Sequence, residues 1–565
     1  MVARFLALIL LVGCGLARAA EMPIVFLTSA ATSAYFKGTK TSYEDDLLVP
    51  WRSFFRRNKV HVREAKASEL ASIKEKSVLI LPSTVVLSET ERKAIRSRIA
   101  AGWSVLGTWA LGTRDEKASR GYGFIEEIFG VKVVYDKPPE GDFRFFLPYG
   151  GTPLTHRLRA GQRMYFRPSG ESPLRLRTDH GAGRISDYNR DVSAPHLVMP
   201  VMAFDERDGA RRAYIGAPES SWDSAQAEMD ALLFGTLDWL KRKTIVFKGA
   251  WPDAYEAALL LEMDTEDKFA NGAAFAAQLE KADLRGTFFC LTSEAAKNAA
   301  TVKRIAARHE IAYHADVHTG FRKVDPAIQD QRLKAMEKQL QPLLPQGMKP
   351  VGFRPPLEEY DATTEKLLRQ NGLAYMAGSN DTSDDSLPKF SKEDAGLVLL
   401  PRTWADDIVL LRAGKLDAAD TDRILLASLE TTLAGRGFGL LSIHSQHFEN
   451  GGALQRAIPP FLQAVTKARA KLWTTSADAI ARWWHDEQAV QVSSRGDAKG
   501  EHVTIEAAHD GIRGVKLIII GPSAGKAPKV EGLGDATQVR KLDDQRWAVL
   551  LPELKAGKKE LRVRF

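Results

Sequence analysis

Carboxylates cluster at the end of one strongly apolar run near the middle of the 565-residue chain. The segment YEAALLLEMDTEDKF begins as a continuous apolar strand and ends in Asp264, Glu266 and Asp267. Active sites of parallel α/β sheets lie at the carboxyl ends of the strands. The pattern therefore indicates either acids that do chemistry at such an edge or a solvated acidic turn.

Histidines follow the next predicted strand. The run RGTFFCL predicts a second buried strand, and HEIAYHADVH after it contains His309, His314 and His318. A spacing of four places His314 and His318 on one face of a helical turn, where both imidazoles can reach one ion. Two histidines, a carboxylate and a water are a common catalytic zinc set. We interpret His309 as a residue that holds the loop in place.

Four motifs in this order resemble those of the polysaccharide deacetylases with the NodB homology domain, carbohydrate esterase family 4. The motifs are HEIAYHADVH, GFRPPLEEYD, NGLAYMAGSNDTSDD and the closing strand GFGLLSIHSQHF, and they lie within residues 250–486. The resemblance implies an α/β fold with a distorted (β/α) barrel. It also implies a hydrolase that removes N-acetyl groups from a polysaccharide with one divalent metal ion, for which we expect zinc.

The resemblance implies a role for each acid and histidine of the first two motifs. His314 and His318 would bind the metal, and Asp264 would be the general base. Glu266 is the preferred third ligand because residues two apart on a strand face the same side, and Asp267 is the alternative.

The later motifs supply the remaining catalytic roles. Arg354, in a turn stiffened by prolines, would pair with Asp264 and hold it ionised and oriented. His444 would be the general acid, with its imidazole hydrogen-bonded by Asp384 or, alternatively, by Asp381.

Two further residues are candidates for contact with the sugar. Pro355 follows the arginine of the second motif, and Trp404 in PRTWADD has an aromatic face on which a sugar ring could stack. Core packing is the preferred interpretation of Trp404, and stacking on a sugar ring is the alternative.

Several positions depart from the family pattern. Ala315 replaces the usual Ser or Thr, Leu357 the Tyr, Asp385 the Trp, and Ser442 the Leu of the acetate pocket. These changes alter the expected acetyl pocket but remove no metal ligand. Two alternatives therefore stay open: a degenerate domain that binds polysaccharide within an export complex, and a hydrolase of the same fold for a small cyclic amide.

The residues before this segment predict a separate α/β domain over 22–245. Short β-rich runs alternate with helical ones, which is typical of a parallel sheet. Ser88 and Glu91 form a capping box, and Gly102 supplies the stop of that helix. The order of elements resembles glutamine-amidotransferase-like or flavodoxin-like folds. This region has no cysteine to act as nucleophile, so we expect it to be non-catalytic.

The sequence of the last region, 489–565, predicts short strands separated by clusters of Gly, Pro, Asp and Lys, and it has no helical periodicity. A small β-sandwich is the economical interpretation. Three such domains in this order resemble part of the Pel-type exopolysaccharide deacetylases.

Residues 1–20 have the layout of a secretory signal. Arg4 precedes an apolar run, and small residues follow it. Cleavage at Ala17-Arg18-Ala19 and a lipobox ending in Cys14, whose lipid would attach the protein to a membrane, are both open. Either type of signal predicts that the protein is exported to the periplasm or cell envelope of a bacterium.

The distribution of charged residues indicates which kind of molecule the protein binds. The formal net charge is +8, but Lys and Arg are interspersed with Asp and Glu throughout. This distribution argues against nucleic acid and favours a glycan or an anionic envelope surface. Cys14 and Cys290 are the only cysteines, so we expect no disulfide within the mature chain.

Overall fold

The computed structural model describes residues 21–117, 119–137, 145–168, 171–187, 190–378, 386–413, 417–497, 499–533 and 538–565. The predicted signal with Cys14 and the segment with Asp381, Asp384 and Asp385 lie outside these ranges. Within them the chain is a mixed α/β protein, and no described helix combines the length and apolarity that crossing a membrane requires.

The N-terminal part contains a nine-stranded mixed sheet. Its strands and those of a separate two-stranded pair are β1 (Ile24–Leu27), β2 (Arg63–Ala65), β3 (Val78–Leu81), β4 (Ser104–Thr108), β5 (Lys132–Tyr135), β6 (Phe145–Pro148), β7 (Met164–Tyr165), β8 (Arg175–Arg177), β9 (Gly181–Ser186), β10 (Pro200–Arg207) and β11 (Ala210–Ile215). Its helices are α1 (Ala30–Phe36), α2 (Val49–Arg57), α3 (Glu89–Ala100), α4 (Gly123–Phe129) and α5 (Gln226–Leu240).

The order of this sheet is β2-β1-β3-β4-β11-β10-β9-β6-β7, and β5 pairs with β8. The strands from β2 to β11 are parallel, whereas those from β11 to β7 are antiparallel. The predicted capping box of α3 is confirmed, since Ser88 Oγ accepts from the N–H of Glu91 and the Glu91 carboxylate accepts from the N–H of Ser88. The local sequence thus determines where α3 begins, but it did not predict the antiparallel half of the sheet.

The middle part is an open half-barrel that contains the described residues of the four motifs. After β12 (Ile245–Lys248) its strands are β13 (Ala257–Thr265), β14 (Thr287–Leu291), β15 (Glu310–Ala315), β16 (Gly352–Phe353), β17 (Tyr375–Ala377), β18 (Lys389–Phe390), β19 (Val398–Leu400), β20 (Phe438–His444) and β21 (Leu472–Thr475). The helices are α6 (Asn271–Lys281), α7 (Thr292–Ala295), α8 (Ala299–Ala306), α9 (Pro326–Leu340), α10 (Ala362–Gln370), α11 (Ala418–Gly435), α12 (Ala453–Lys467) and α13 (Ala477–Gln488).

The half-barrel sheet runs β18-β19-β17-β16-β15-β14-β13-β20, and β21 pairs with the first half of β13. All of these pairs are parallel except β18 with β19. Every residue of β13 is buried, as expected for a central parallel strand that is covered on both faces. The carboxyl ends of the parallel strands therefore form one edge, which carries the polar residues of the motifs.

The C-terminal part is built from two four-stranded sheets. Its strands are β22 (Val490–Asp497), β23 (Gly500–Ala507), β24 (Lys516–Ile520), β25 (Lys529–Glu531), β26 (Gln538–Lys541), β27 (Arg546–Leu550) and β28 (Gly557–Arg564). The sheet orders are β22-β23-β28-β25 and β12-β24-β27-β26. One strand of the second sheet is thus β12, which precedes the half-barrel in the chain and runs antiparallel to β24.

Candidate active site

Neighbouring strands place Asp264 beside His444. Strands β13 and β20 are parallel, and Asp264 is directly opposite His444 in their register. His444 Nε2 lies 3.7 Å from Asp264 Oδ2. Both side chains emerge at the carboxyl edge of the sheet, where the acidic cluster was predicted to lie.

Glu266 lies between two imidazoles. Its Oε1 is 2.8 Å from His314 Nε2 and 2.8 Å from His318 Nε2. Its Oε2 accepts a hydrogen bond from Gln446 Nε2 at 2.7 Å. Burial alone would raise the pKa of Glu266, but the hydrogen bonds from His314 and Gln446 lower it to about 2. Asp267, the alternative third ligand, is exposed.

The two histidines do not share a helical turn, so the expectation based on their spacing was wrong. His314 belongs to strand β15, which is held extended by pairing with β14 and β16. His318 lies in the following loop, where a turn closed by the Thr319 N–H and the Val317 carbonyl returns the chain toward the sheet edge. Loop geometry, not helical periodicity, brings the imidazoles together.

The turn after β13 is fixed by a serine that sequence reasoning did not select. Ser445 Oγ accepts from the N–H of Glu266 at 2.9 Å and donates to the carbonyl of Asp267 at 2.8 Å. The Ser445 carbonyl accepts from the Asn271 amide at 2.9 Å. These bonds hold Glu266 in the position where it meets the imidazoles.

Arg354 holds one oxygen of Asp264. Its Nε donates to Asp264 Oδ2 at 2.7 Å, and both side chains are buried. The Arg354 carbonyl is 3.0 Å from His314 Nδ1, so Nε2 of that ring is the nitrogen directed at Glu266. Oδ1 of Asp264 is buried and has no hydrogen-bond partner among the described residues.

A second buried carboxylate shares the guanidinium. Glu262 is fully buried on the same strand as Asp264, and its Oε1 lies 3.0 Å from Arg354 Nη1. Burial raises the pKa of Glu262 to about 7 even though the charge of Arg354 acts to lower it. Arg354 is thus the cation of a buried cluster, not the partner of Asp264 alone.

His444 is oriented by Asp407. Its Nδ1 lies 2.7 Å from Asp407 Oδ1, and its backbone N–H donates to Asp407 Oδ2 at 2.8 Å. His447 Nδ1 is 3.0 Å from the same Oδ2. Burial lowers the pKa of His444, but the hydrogen bond to Asp407 and the negative charge of Asp264 together raise it to about 9.

The described residues supply a partner of this imidazole that was not predicted from the sequence. Asp384 and its alternative Asp381 lie outside the described residues, and Nδ1 of His444 is already engaged by Asp407. Asp407 lies 37 positions before His444, so local spacing could not select it. The adjacent acids Asp406 and Asp407 in PRTWADD could have indicated a partner for the histidine, but only Trp404 of this segment was considered as a site residue.

Trp404 is a core residue, which corrects its interpretation as a sugar contact. Its ring is buried, its indole N–H donates to Thr432 Oγ1 at 3.0 Å, and it packs edge-on against Phe461. The ring faces Gly439, near the start of β20. Pro355 is buried next to Arg354 and supports the turn that carries the guanidinium.

Three of the positions that depart from the family pattern are described. Ala315 ends β15 and is fully buried, and Ser442 is buried opposite Glu262 in the register of β13 and β20. Leu357 is 67% exposed, with a left-handed backbone at φ 58°. The residue that replaces the tyrosine is therefore an exposed apolar side chain three positions from Arg354.

The described residues fit a divalent metal ion. Glu266, His314 and His318 each offer a ligand atom within 4.8 Å of the others, and a carboxylate with two imidazoles is a donor set that zinc accepts. Oδ1 of Asp264 has no hydrogen-bond partner among the described residues, so it could accept a hydrogen bond from a water beside such an ion.

Comparison with known proteins agrees with this location. Residues 266–376 match the family model described as polysaccharide deacetylase. None of the curated proteins matches the chain. A crystal structure of a putative polysaccharide deacetylase from Mycobacterium smegmatis is similar, with 24% identity over 43% of this chain and 94% of that chain and a TM-score of 0.38.

Two other solved structures differ in how much they cover. Agd3, described as a novel carbohydrate deacetylase, is 10% identical over 96% of this chain and 99% of its own, with a TM-score of 0.44. BA3943 from Bacillus anthracis, described as a CE4 family pseudoenzyme, is 12% identical over 42% of this chain and 68% of its own, with a TM-score of 0.30.

Proposed function

From the match of residues 266–376 to the polysaccharide deacetylase model, we propose that the protein removes N-acetyl groups from a polysaccharide by metal-assisted hydrolysis. The observation that carries the proposal is the position of Asp264. One of its oxygens is fixed by Arg354, the other has no hydrogen-bond partner among the described residues, and ligand atoms of Asp264, Glu266 and His444 lie within 4.8 Å of one another. A carboxylate that is held in this way has the position that a general base requires.

The first half of the reaction uses Asp264. A divalent ion held by Glu266, His314 and His318 would polarise the amide carbonyl and make a nearby water more acidic. Asp264 Oδ1 takes a proton from the attacking water, because Oδ2 is already occupied by Arg354. The oxygen of that water forms the new bond to the carbonyl carbon of the N-acetyl group.

The second half uses His444. At neutral pH a histidine whose pKa is about 9 is an imidazolium. Nε2 of His444 faces Asp264, and it donates its proton to the amide nitrogen as the C–N bond breaks. Asp407 keeps Nδ1 engaged and so aims Nε2 at the substrate. The products are acetate and a sugar with a free amine.

Several finer features belong to the same proposal. The ion is zinc, and the substrate is an exopolysaccharide rather than peptidoglycan. The protein works outside the cytoplasm, in the periplasm or cell envelope, with Cys14 as a candidate lipid attachment, and it belongs to a polysaccharide export complex. The N-terminal part has the non-catalytic, amidotransferase-like role seen in the architecture of Pel-type deacetylases. The net charge of +8 supports an anionic envelope surface as its surroundings.

Acetate release from partially acetylated glucosamine and galactosamine oligomers tests the proposal. We expect release by the metal-loaded protein, loss after chelation and recovery with zinc. Asp264→Asn should keep the ion and lose turnover on the order of 10²–10⁴-fold, as for a removed general base. Glu266→Gln should weaken metal binding, measured by the metal content of the purified protein.

Asp267→Asn is the matched control, because it removes a neighbouring carboxylate that is exposed and outside the cluster. It should retain both the ion and the activity. If the ion is lost in Asp264→Asn and kept in Glu266→Gln, the base and ligand roles are interchanged. If the metal-loaded protein binds the oligomers and releases no acetate, the chain is a polysaccharide-binding component.

A further inference from the structure

We propose that Asp407, His444 and His447 form a second divalent-cation site and that an ion bound there inhibits the enzyme. This inhibition rests on the proposed function, in which His444 is the proton donor. The site itself rests on geometry alone, because each of the three residues offers a ligand atom within 4.8 Å of the others.

The second cluster offers the same kinds of ligand group as the first, one carboxylate and two imidazoles, but each imidazole meets its own carboxylate oxygen. In the first, the Glu266 carboxylate lies 2.8 Å from one nitrogen of each of two imidazoles. In the second, the Asp407 carboxylate lies 2.7 Å from His444 Nδ1 and 3.0 Å from His447 Nδ1. The donor set that fits an ion at the first cluster is therefore present at the second, with its ligand atoms within the same 4.8 Å.

The surroundings favour a cation at this point. The Asp407 carboxylate is fully buried and fixed by the backbone N–H of His444, so it is already oriented. Asp264 and Glu266 contribute further negative charge, with ligand atoms within 4.8 Å of His444. The side chains of His444 and His447 are 11% and 14% exposed, so the cluster lies at the boundary between the interior and solvent.

The donor set determines which ions bind. Two imidazoles and one carboxylate suit zinc, copper, nickel and cobalt, whereas magnesium and calcium prefer sites made only of oxygen. We therefore expect zinc to occupy this site and magnesium to leave it empty.

Occupancy would remove the proton donor. The ion takes the lone pair of His444 Nδ1, and the proton that this nitrogen shares with Asp407 leaves to solvent. The remaining Nε2–H belongs to a neutral ring bound to a metal, which is a much weaker acid than an imidazolium. Proton delivery to the leaving amine should then fail, and general acid catalysis is worth on the order of 10²–10⁴-fold.

The test is a zinc titration of the full chain, read out by calorimetry and by acetate release. We expect two binding events in the native protein, the second accompanied by at least a tenfold loss of kcat. His447→Gln should bind one ion and keep its own rate at the zinc concentration that inhibits the native protein. Glu266→Gln should lose the first event and retain the second.

His502→Gln is the matched control, because His502 is another histidine paired with an aspartate, Asp497 at 2.8 Å, but has no second imidazole in its cluster among the described residues. It should behave as the native protein. Anomalous scattering at the zinc edge should show density between Asp407 and His447. Binding of a single ion, or inhibition that persists in His447→Gln, would overturn the proposal. If two ions bind but no acetate is released, the second cation site is supported and the proposed deacetylase function is rejected.

Discussion

Asp407 is the residue that sets the acid strength of His444. It accepts from both the ring and the backbone of that histidine and is itself fully buried. Burial would raise the pKa of Asp407, but the hydrogen bonds from His444 and His447 keep it below the ordinary value. The pair is therefore an ionised carboxylate beside an imidazolium at neutral pH.

Replacement of Asp407 by Asn should move the alkaline limb of the pH profile. In the proposed reaction His444 must be protonated to act as the acid, so native activity should fall as pH rises through about 9, the pKa of His444. Without the charge of Asp407 that pKa should shift toward its ordinary value of 6.5. The loss of kcat should therefore be larger at pH 8 than at pH 6. An unchanged alkaline limb in this variant, with Asp267→Asn as control, would contradict the role of Asp407.

At the scale of elements, Glu219 ties the ends of two parallel strands to a helix. It lies in the turn after β11 and is fully buried. Its carboxylate accepts from the indole N–H of Trp51 on α2 at 3.0 Å, from the hydroxyl of Thr108 at the end of β4, and from that of Ser83 after β3. Burial raises the pKa of Glu219 to about 7 despite these donors.

This carboxylate should make the stability of the protein depend on pH. The folded pKa of about 7 exceeds the ordinary 4.5, so between these values the folded state holds more protons. The stabilising contribution of Glu219 is complete below pH 4.5 and is lost as pH rises through 7. Glu219→Gln should therefore gain stability relative to the native protein between pH 5 and pH 8 in urea unfolding.

Glu219→Ala separates the hydrogen bonds from the charge. It leaves the indole N–H of Trp51 and the hydroxyl of Ser83 without a partner, at a cost of about 1–3 kcal/mol each, so it should destabilise the protein at every pH. A parallel pH dependence of the native protein and Glu219→Gln would show that this carboxylate does not titrate in the range expected.

At the scale of the whole molecule, the three parts of the chain interlock. Strand β12 leaves the N-terminal part and completes a sheet of the C-terminal part before the half-barrel begins. The Gly150 N–H donates to the Gly435 carbonyl at 2.7 Å, and Arg211 donates to the Gly521 carbonyl at 2.6 Å. The half-barrel is therefore inserted between strands that pair with one another.

Two truncated chains, with and without β12, should differ in melting temperature. A chain that begins at Thr244 retains β12, whereas one that begins at Ala250 leaves the edge of β24 unpaired. Val246 is buried in the core that the half-barrel shares with the C-terminal part, and burying it is worth about 1.5–3 kcal/mol, so the longer chain should melt at higher temperature. It should also release acetate from short oligomers if the N-terminal part is non-catalytic. Equal melting temperatures would contradict the role of β12.

The sequence alone predicted the parts of this protein that local patterns encode. Apolar runs predicted β13, β14 and β20. The acids and histidines that follow these strands lie at one sheet edge, as expected because the carboxyl ends of parallel strands meet there. The preference for Glu266 over Asp267 followed from the two-residue period of a strand, and the structure places Glu266 between the imidazoles. These features depend on a few consecutive residues, so they can be predicted without the fold.

Tertiary structure decided which distant residues meet. The partner of His444 is Asp407, from a loop 37 positions away, and His318 reaches Glu266 through a loop and not a helical turn. Trp404 is buried beneath β20. Strand β12, which precedes the half-barrel in the sequence, pairs with β24, which follows it. Such contacts depend on strand order and loop path, which are set by packing of the whole chain, and local periodicity carries no information about them.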